Sequence, residues 1–246
     1  DHRDLHSFPT RRSSDLTSSF SLASIFALRM FGLFIILPVF AVYARELPGG
    51  DSETLVGITL GIYGLTQGLL QIPFGVASDR LGRKPVIIFG LIIFALGSFL
   101  AASGANIWIV MLGRMLQGAG AISAAVTAFI ADSVRVQVLT KAMAMVGASI
   151  GLTFALSLLI SPPLTKLWGV SGLFTLTGIS ALIAVLVVKF VVPPAPQSAI
   201  DEKNEHRSWR KVVCDPQLVR LNIGIFVLHA VLTAIFVVKI GRASCR

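Results

Sequence analysis

The chain is poor in charge. Only 13% of its 246 residues are Asp, Glu, Lys or Arg, while 54% are hydrophobic. An ordinary soluble domain carries about a quarter charged residues, so that class is excluded. Cysteine is also scarce, with 2 in the chain. Cys245 lies in a terminal segment set aside below, which leaves Cys214 alone and excludes a disulfide or a thiolate metal site. No Asp or Glu occurs inside any of the long apolar runs. Clustered His, Asp, Glu or Cys at one depth, which an intramembrane enzyme requires, is therefore missing, and the expectation is a protein that is not an enzyme.

In place of charge there are separated apolar blocks of roughly 20 residues, the length a helix needs to cross ~30 Å of hydrocarbon. Spans are expected near 20–43, 55–77, 86–104, 107–130, 142–162 and 172–192, with a seventh beginning near 218. The first block is too long for a cleavable signal peptide and continues as a span. Both ends differ in character from the rest. Residues 6–16 (HSFPTRRSSDL) and 240–246 (IGRASCR) resemble the translation of a sequencing adapter. Residues 1–16 and 239–246 are accordingly expected to be no part of the fold. The expected organisation is a six-helix bundle over 17–192, a linker over 193–216 and the start of a second bundle over 217–238.

The formal net charge is +9, and outside the two ends the basic residues sit in short loops. Such placement sets membrane orientation and gives no reason to expect a nucleic-acid partner. The loops after spans two, four and six hold Arg80, Arg83, Lys84, Arg135, Lys141, Lys203, Arg207, Arg210 and Lys211, with Lys189 and Arg220 at the adjoining span ends. Those after spans one, three and five hold only Arg45 and Lys166. By the positive-inside rule the N-terminus and the even-numbered loops face the cytoplasm. The stretch from Pro193 to Asp215 opens PPAPQ, then turns charged, a linker composition. Trp209, Arg210 and Lys211 within it suit a short amphipathic element on the lipid surface.

Span two carries Gly57, Gly61, Gly64, Gly68 and Gly75 within about 40° of one line on a helix. Such a stripe lets a neighbouring backbone approach closely, and static packing is its plainest reading. It runs into the turn Gly75-Val76-Ala77-Ser78-Asp79-Arg80-Leu81-Gly82-Arg83-Lys84-Pro85. Gly82 permits a tight turn there, and Pro85 suits the first turn of span three. G-x-x-x-D-R-x-G-R-K between spans two and three resembles the signature loop of the major facilitator superfamily at every defining position. A solvated loop would need the basic residues, but not Asp79 or either glycine.

Arg114-Met115-Leu116-Gln117-Gly118-Ala119-Gly120-Ala121 is similar to that family's R-x-x-Q-G-x-G-A in span four. Asp132 lies about five turns and roughly 27 Å beyond Arg114 on a straight helix, which brings it to the membrane face that carries Arg83. In the family an acidic residue here pairs with the loop arginine. The resemblance therefore implies a conformational latch of Gly75, Asp79, Arg80, Gly82, Arg83, Lys84 and Asp132, with Asp79 turned toward a helix of a second bundle. Gly32 and Pro38-Val39 resemble a pattern of proton-coupled drug exporters, departing at Ala41, where a second proline is usual. The exporters' span-five pattern keeps only Pro162, while Gly147 and Gly151 upstream offer close packing, as do Gly118 and Gly120 in span four. Over nearly the whole chain between the two ends the sequence resembles the YajR-type inner-membrane transporters.

The implied fold is all-α: the six-helix N-terminal bundle of the major facilitator fold, a 3+3 inverted repeat, plus a truncated seventh helix. The implied setting is a bacterial inner membrane crossed many times.

Arg29 and Arg114 are ionisable residues deep in the first six spans, and such charges face a bundle interior or a watery cavity. Two readings of Arg114 stand. With Gln117 it lines a transport pathway and compensates charge, or it braces neighbouring helix ends. Arg29 is expected to face a cavity. Gln67 and Gln71 suit interhelical hydrogen bonds. His229 in span seven titrates in the range proton coupling needs, although a lone histidine is more often a packed hydrogen-bonder. No P-loop appears, so nothing supports direct drive by ATP.

The expectation is a secondary transporter working by alternating access, proton-coupled and exporting a small molecule. It calls for no cofactor beyond a proton gradient. Its partners are membrane lipid, a small-molecule substrate, protons and the missing C-terminal half. Uptake by symport or facilitation, and a non-transporting receptor or scaffold, are the alternatives.

Overall fold

The computed structural model describes residues 23–134, 136–192 and scattered positions between 216 and 231. Among the described residues every regular element is an α-helix. They are α1 (23–34), α2 (Leu37–Glu46), α3 (Glu53–Leu81), α4 (Arg83–Ala102), α5 (Ile107–Ala119), α6 (Ser123–Ser133) and α7 (Val136–Phe190). The residues from 200 onward form a separate unit.

Four expected spans are built differently from the simple rods the apolar blocks suggest. Span one is α1 and α2 in sequence, broken by a turn at Ile35 and Ile36. Pro38 has no N–H to give to the preceding turn. Val39 N turns instead to Ile36 O at 3.3 Å, which frees the Ile35 carbonyl from the ladder. Two hydroxyls of α7 then hold this segment. Ser161 Oγ donates to Ile35 O at 2.5 Å, and Thr177 Oγ1 donates to Gly32 O at 3.2 Å.

Span four is also two helices, because α5 ends at Ala119 and α6 begins at Ser123. The break falls where span four meets α4. A Cβ on Gly120 would lie 2.4 Å from Gly90 O, so only glycine fits this approach. Further along, Gly97 and Gly113 let the two backbones touch, since a Cβ on Gly113 would lie 2.7 Å from Gly97 O.

Spans five and six were expected to be separated by a loop between 162 and 172. Instead α7 continues through Pro162 and Pro163, and its one non-helical residue is Gly169, at φ 65° and ψ 177°. A straight helix of 55 residues would reach roughly 80 Å, far beyond one ~30 Å crossing. Gly169 divides it into 136–168 and 170–190, each long enough to cross. The left-handed φ explains why glycine stands at the reversal. The seventh span falls almost wholly outside the described residues.

The packing is layered along the bundle. One apolar cluster, with Ile25, Ile87, Leu91, Phe129 and Val188, lies toward the α3–α4 turn. A second, with Ile36, Phe40, Val56, Ile107 and Phe174, lies toward the opposite end. Between them sits a thin layer of Tyr63, Phe94, Ala95 and Ala181, beside which the buried Arg29, Arg114, Ser98 and Gln117 lie. The outside is apolar too, with Leu65, Leu69, Ile72, Phe89 and Leu186 exposed, as lipid permits. Only 17% of the apolar stretch of α3 is buried, so most of that helix is left uncovered by this bundle.

Candidate functional site

At one end of the bundle, α3 passes into α4 through Gly82, whose φ of 94° is a left-handed conformation that favours glycine. The turn aims Arg83 inward, where it is 7% exposed. Each nitrogen of its guanidinium meets a different oxygen. Nε donates to Asp132 Oδ2 at 2.9 Å, Nη1 to Ser78 Oγ at 2.6 Å, and Nη2 lies 2.6 Å from Asp79 Oδ1. Ser78 Oγ in turn donates to Gly75 O at 2.7 Å, so the Arg83 contact reaches back one turn into α3. The side chain of Asp132 is 11% exposed and that of Asp79 51%, so Asp79 keeps a face open to a further partner.

Lys84 Nζ donates to Val192 O, which ties the start of α4 to the residues just past α7. Arg80 is exposed, and Gly75 has only an ordinary contact with Ala124. Asp132 reaches Arg83 even though the break in span four removes the straight five-turn helix assumed for it.

In the middle layer Arg29 and Arg114 are each 1% exposed. Arg29 Nη1 donates to Ser123 Oγ at 3.0 Å and Nη2 to Gly120 O at 3.2 Å, with the Phe94 ring centre 5.6 Å away. Arg29 thus holds the broken segment of span four. Gln67 Nε2 approaches the same Ser123 hydroxyl at 3.4 Å. Arg114 lies over the Tyr63 ring at 4.8 Å, a cation–π distance, and Nη1 donates to Gln117 Oε1 at 3.1 Å. Gln117 Nε2 donates to Ser98 Oγ at 2.8 Å, and Ser98 Oγ donates to Phe94 O at 2.8 Å. Arg29 Nε, Arg114 Nε, Tyr63 Oη and Gln71 Oε1 are buried without a hydrogen-bond partner.

The glycines named for helix packing divide into two groups. Gly118 and Gly120 are tightly packed, since Cβ atoms there would lie 2.3 Å from Tyr63 O and 2.4 Å from Gly90 O. Gly57, Gly61, Gly64, Gly68, Gly147 and Gly151 meet nothing within 4 Å. A packing role for these six within this bundle is therefore corrected: the faces of α3 and α7 that carry them are turned away from its core. His229 lies outside the described residues. Sequence reasoning missed Ser78, Ser98, Ser123, Ser161 and Thr177. Their signal was a hydroxyl standing alone in an apolar run, where it seeks a carbonyl or a polar neighbour.

At the opposite end a crevice of about 570 Å³ opens between α2 and α7, lined by Tyr43, Glu46, Pro162 and Lys166 among others. Gly169 borders it, so the reversal in α7 helps form its wall.

Comparison with known proteins places this architecture. The chain is 44% identical over 229 residues to the inner membrane transport protein YajR of Escherichia coli (strain K12), covering 92% of this chain and 50% of that protein. It is 34% identical over 226 residues to an uncharacterized transporter of Buchnera aphidicola subsp. Schizaphis graminum, covering 91% and 58%. A shorter match, 35% identical over 123 residues, is to the class B tetracycline resistance protein of Escherichia coli, covering 49% and 31%. The chain thus spans about half the length of the first two relatives. Among solved structures, a peptide transporter POT mutant in complex with sulfate superposes with a TM-score of 0.62 at 15% identity, over 92% of this chain and 50% of that one. At that identity the likeness concerns the fold. The description of the Major Facilitator Superfamily fits residues 22–240. With its helices, its charged α3–α4 turn and its transporter relatives, this chain belongs to the major facilitator superfamily.

Proposed function

We propose that the chain forms the first six-helix bundle of a secondary active transporter that exports a small molecule in exchange for protons. The observation that carries this reading is the three-way bonding of Arg83 to Asp132, Asp79 and Ser78 at one mouth of the bundle. Three elements meet there at one guanidinium, so a small displacement of α6 against the α3–α4 turn breaks the charge-assisted bond to Asp132 while Ser78 and Asp79 stay with the turn. Packed bundles are bistable, and a cluster of this kind biases one of two arrangements. The half-exposed Asp79 is the group that would meet a helix of the second bundle, with the positive end of a helix dipole as the matching partner.

The orientation follows from charge. Arg80, Arg83, Lys84 and Lys189 gather at the latch end, which puts that end in the cytoplasm of a bacterial inner membrane. Residues 193–216 would then link the two bundles on the same side. Export of a small molecule has support from the printed names of two relatives, a tetracycline resistance protein and the quinolone resistance protein NorA. Protons are the coupling species in this reading, with membrane lipid and the second bundle as the remaining partners.

The test is proton flux in sealed vesicles that contain the intact two-bundle transporter and a pH-sensitive dye. Under an imposed pH gradient, adding a transported compound should release protons in proportion to compound moved. Tight binding with no flux would instead mark a receptor that kept the fold. Flux of compound without protons would mark a facilitator.

A further inference from the structure

Two strong cations are buried in the middle of the bundle, and neither has a carboxylate against it among the described residues. The treatment of Arg83 shows how this same chain satisfies a bracing guanidinium: all three nitrogens are bonded, two of them to carboxylates. Arg29 is different. Two of its nitrogens reach neutral oxygens, and Nε reaches nothing. A buried cation in that state is costly, and an arriving anion would remove the cost.

We propose that the break in span four is an oxyanion-binding site, which takes the carboxylate or phosphate group of a small organic molecule between Arg29 and the N-terminus of α6. The inference rests on the carrier reading above and deepens it by naming the charge class of the ligand.

Several features converge on that point. The α6 helix has 11 residues and starts without a side-chain cap. Its first N–H groups and the positive end of its dipole are therefore available to an anion. Arg29 is held at this terminus by its bond to Ser123 Oγ, on the first residue of α6. Ser123 Oγ accepts from both Arg29 and Gln67, which leaves its own proton to donate to a ligand. Breaks in membrane helices persist only where protein or a water-filled cavity satisfies the freed backbone, and discontinuous helix ends in transporters meet substrates and ions.

The cluster also has an open side. Arg29 is closed off, but Ser123 and Gln67 are half-buried. On α3, Gln67 stands beside Gly68 and one turn from Gly64, with open space where their side chains would be. Arg114 reinforces the field, because its partner Gln117 lies in the last turn of α5 and accepts from Gly120 N at 3.2 Å.

The experiment uses the intact transporter in lipid nanodiscs, with benzoate and inorganic phosphate as probes and uncharged benzamide as control. Equilibrium binding and the ligand-induced rise in melting temperature are read together. Benzoate, phosphate or both should bind and raise the melting temperature, while benzamide should not. Which anion binds identifies the group. Arg29→Gln should weaken that binding by about tenfold or more, and Arg29→Lys should stay within about threefold of the parent. Ser123→Asp supplies a carboxylate beside Arg29 and at a helix N-terminus, where it is tolerated, and should also weaken binding by about tenfold. If Arg29→Gln fails to fold, Ser123→Asp alone decides.

Equal binding of benzamide and benzoate, no binding of either anion, or unchanged affinity in Ser123→Asp would overturn the site. Proton-coupled flux with no anion binding sinks the site and leaves the carrier. Anion binding without any flux does the reverse.

Discussion

Arg83 Nε donates to Asp132 Oδ2 at 2.9 Å, joining the first residue of α4 to the last turn of α6. The bond lies at the end of α6 away from the break in span four, so α6 is tied to α4 at that end by this pair and to α1 at its other end by Arg29 on Gly120 and Ser123.

The shape of the Arg83 cluster yields the first prediction. Three acceptors are served by three nitrogens in a planar fork, and an ammonium group cannot reproduce that geometry. Arg83→Lys should lower the transport rate by about tenfold with normal amounts of protein in the membrane. Initial rates of flux, normalised to protein, measure this. A rate equal to that of the parent would mean charge alone suffices.

The second concerns glycines. A Cβ on Gly118 would lie 2.3 Å from Tyr63 O, against backbone that cannot swing away. Gly118→Val should destabilise the fold by about 1–3 kcal/mol, as overpacking does. Gly61 meets nothing within this bundle, so Gly61→Val should leave the stability of the bundle unchanged. Transport by Gly61→Val should fall if the second bundle packs on that face. Thermal unfolding of the purified variants and flux in vesicles separate the two effects.

The third concerns the charge on Arg114. Arg114 is a buried cation with a neutral hydrogen-bond partner, Gln117, so its removal relieves the cost of burying an uncompensated charge. Arg114→Met should hold or raise the unfolding temperature, while coupled flux falls by about a hundredfold. Loss of stability together with flux would assign Arg114 to bracing, through its stacking on Tyr63 and its bond to Gln117.

A fourth prediction comes from the kink in span one. Ser161 and Thr177 donate to carbonyls of α1 and its following turn. Hydrogen bonds between membrane helices are worth on average about 0.6 kcal/mol. Ser161→Ala should therefore cost roughly that amount in a denaturant titration, and the double variant with Thr177→Ala roughly twice as much. A much larger loss would mean that the hydroxyls hold the kink itself.

Which parts of this structure could be read beforehand follows physical lines. Long apolar blocks reveal spans because lipid demands a continuous run. The Asp79–Arg83 turn was legible because charge and glycine at that spacing have no cheaper explanation beside a membrane. The break at Gly120 was not legible. It follows from close approach to Gly90 and from Arg29 on another span, contacts that no local pattern encodes. The boundary of span five was expected at 162, and α7 instead continues through Pro162 and Pro163. Here Thr165 Oγ1 donates to Ser161 O at 2.8 Å and Ser161 Oγ donates to Ile35 O, so Ser161 beside the prolines finds partners for both of its oxygens. The Ser123 and Gly120 partners of Arg29 and the Tyr63 ring beneath Arg114 stayed hidden because spans one, two and four become neighbours only on assembly.

The most direct test of the latch is a distance measurement across it in the intact transporter. Spin labels at exposed Arg80 and on the facing end of the second bundle report how far that mouth is open, by electron–electron double resonance. Asp132→Asn removes the negative charge that faces Arg83 Nε and should shift the population toward the open mouth by a factor of about 5–150, the range of typical coupling energies. Unchanged distance distributions in Asp132→Asn, with normal proton-coupled flux, would contradict the account.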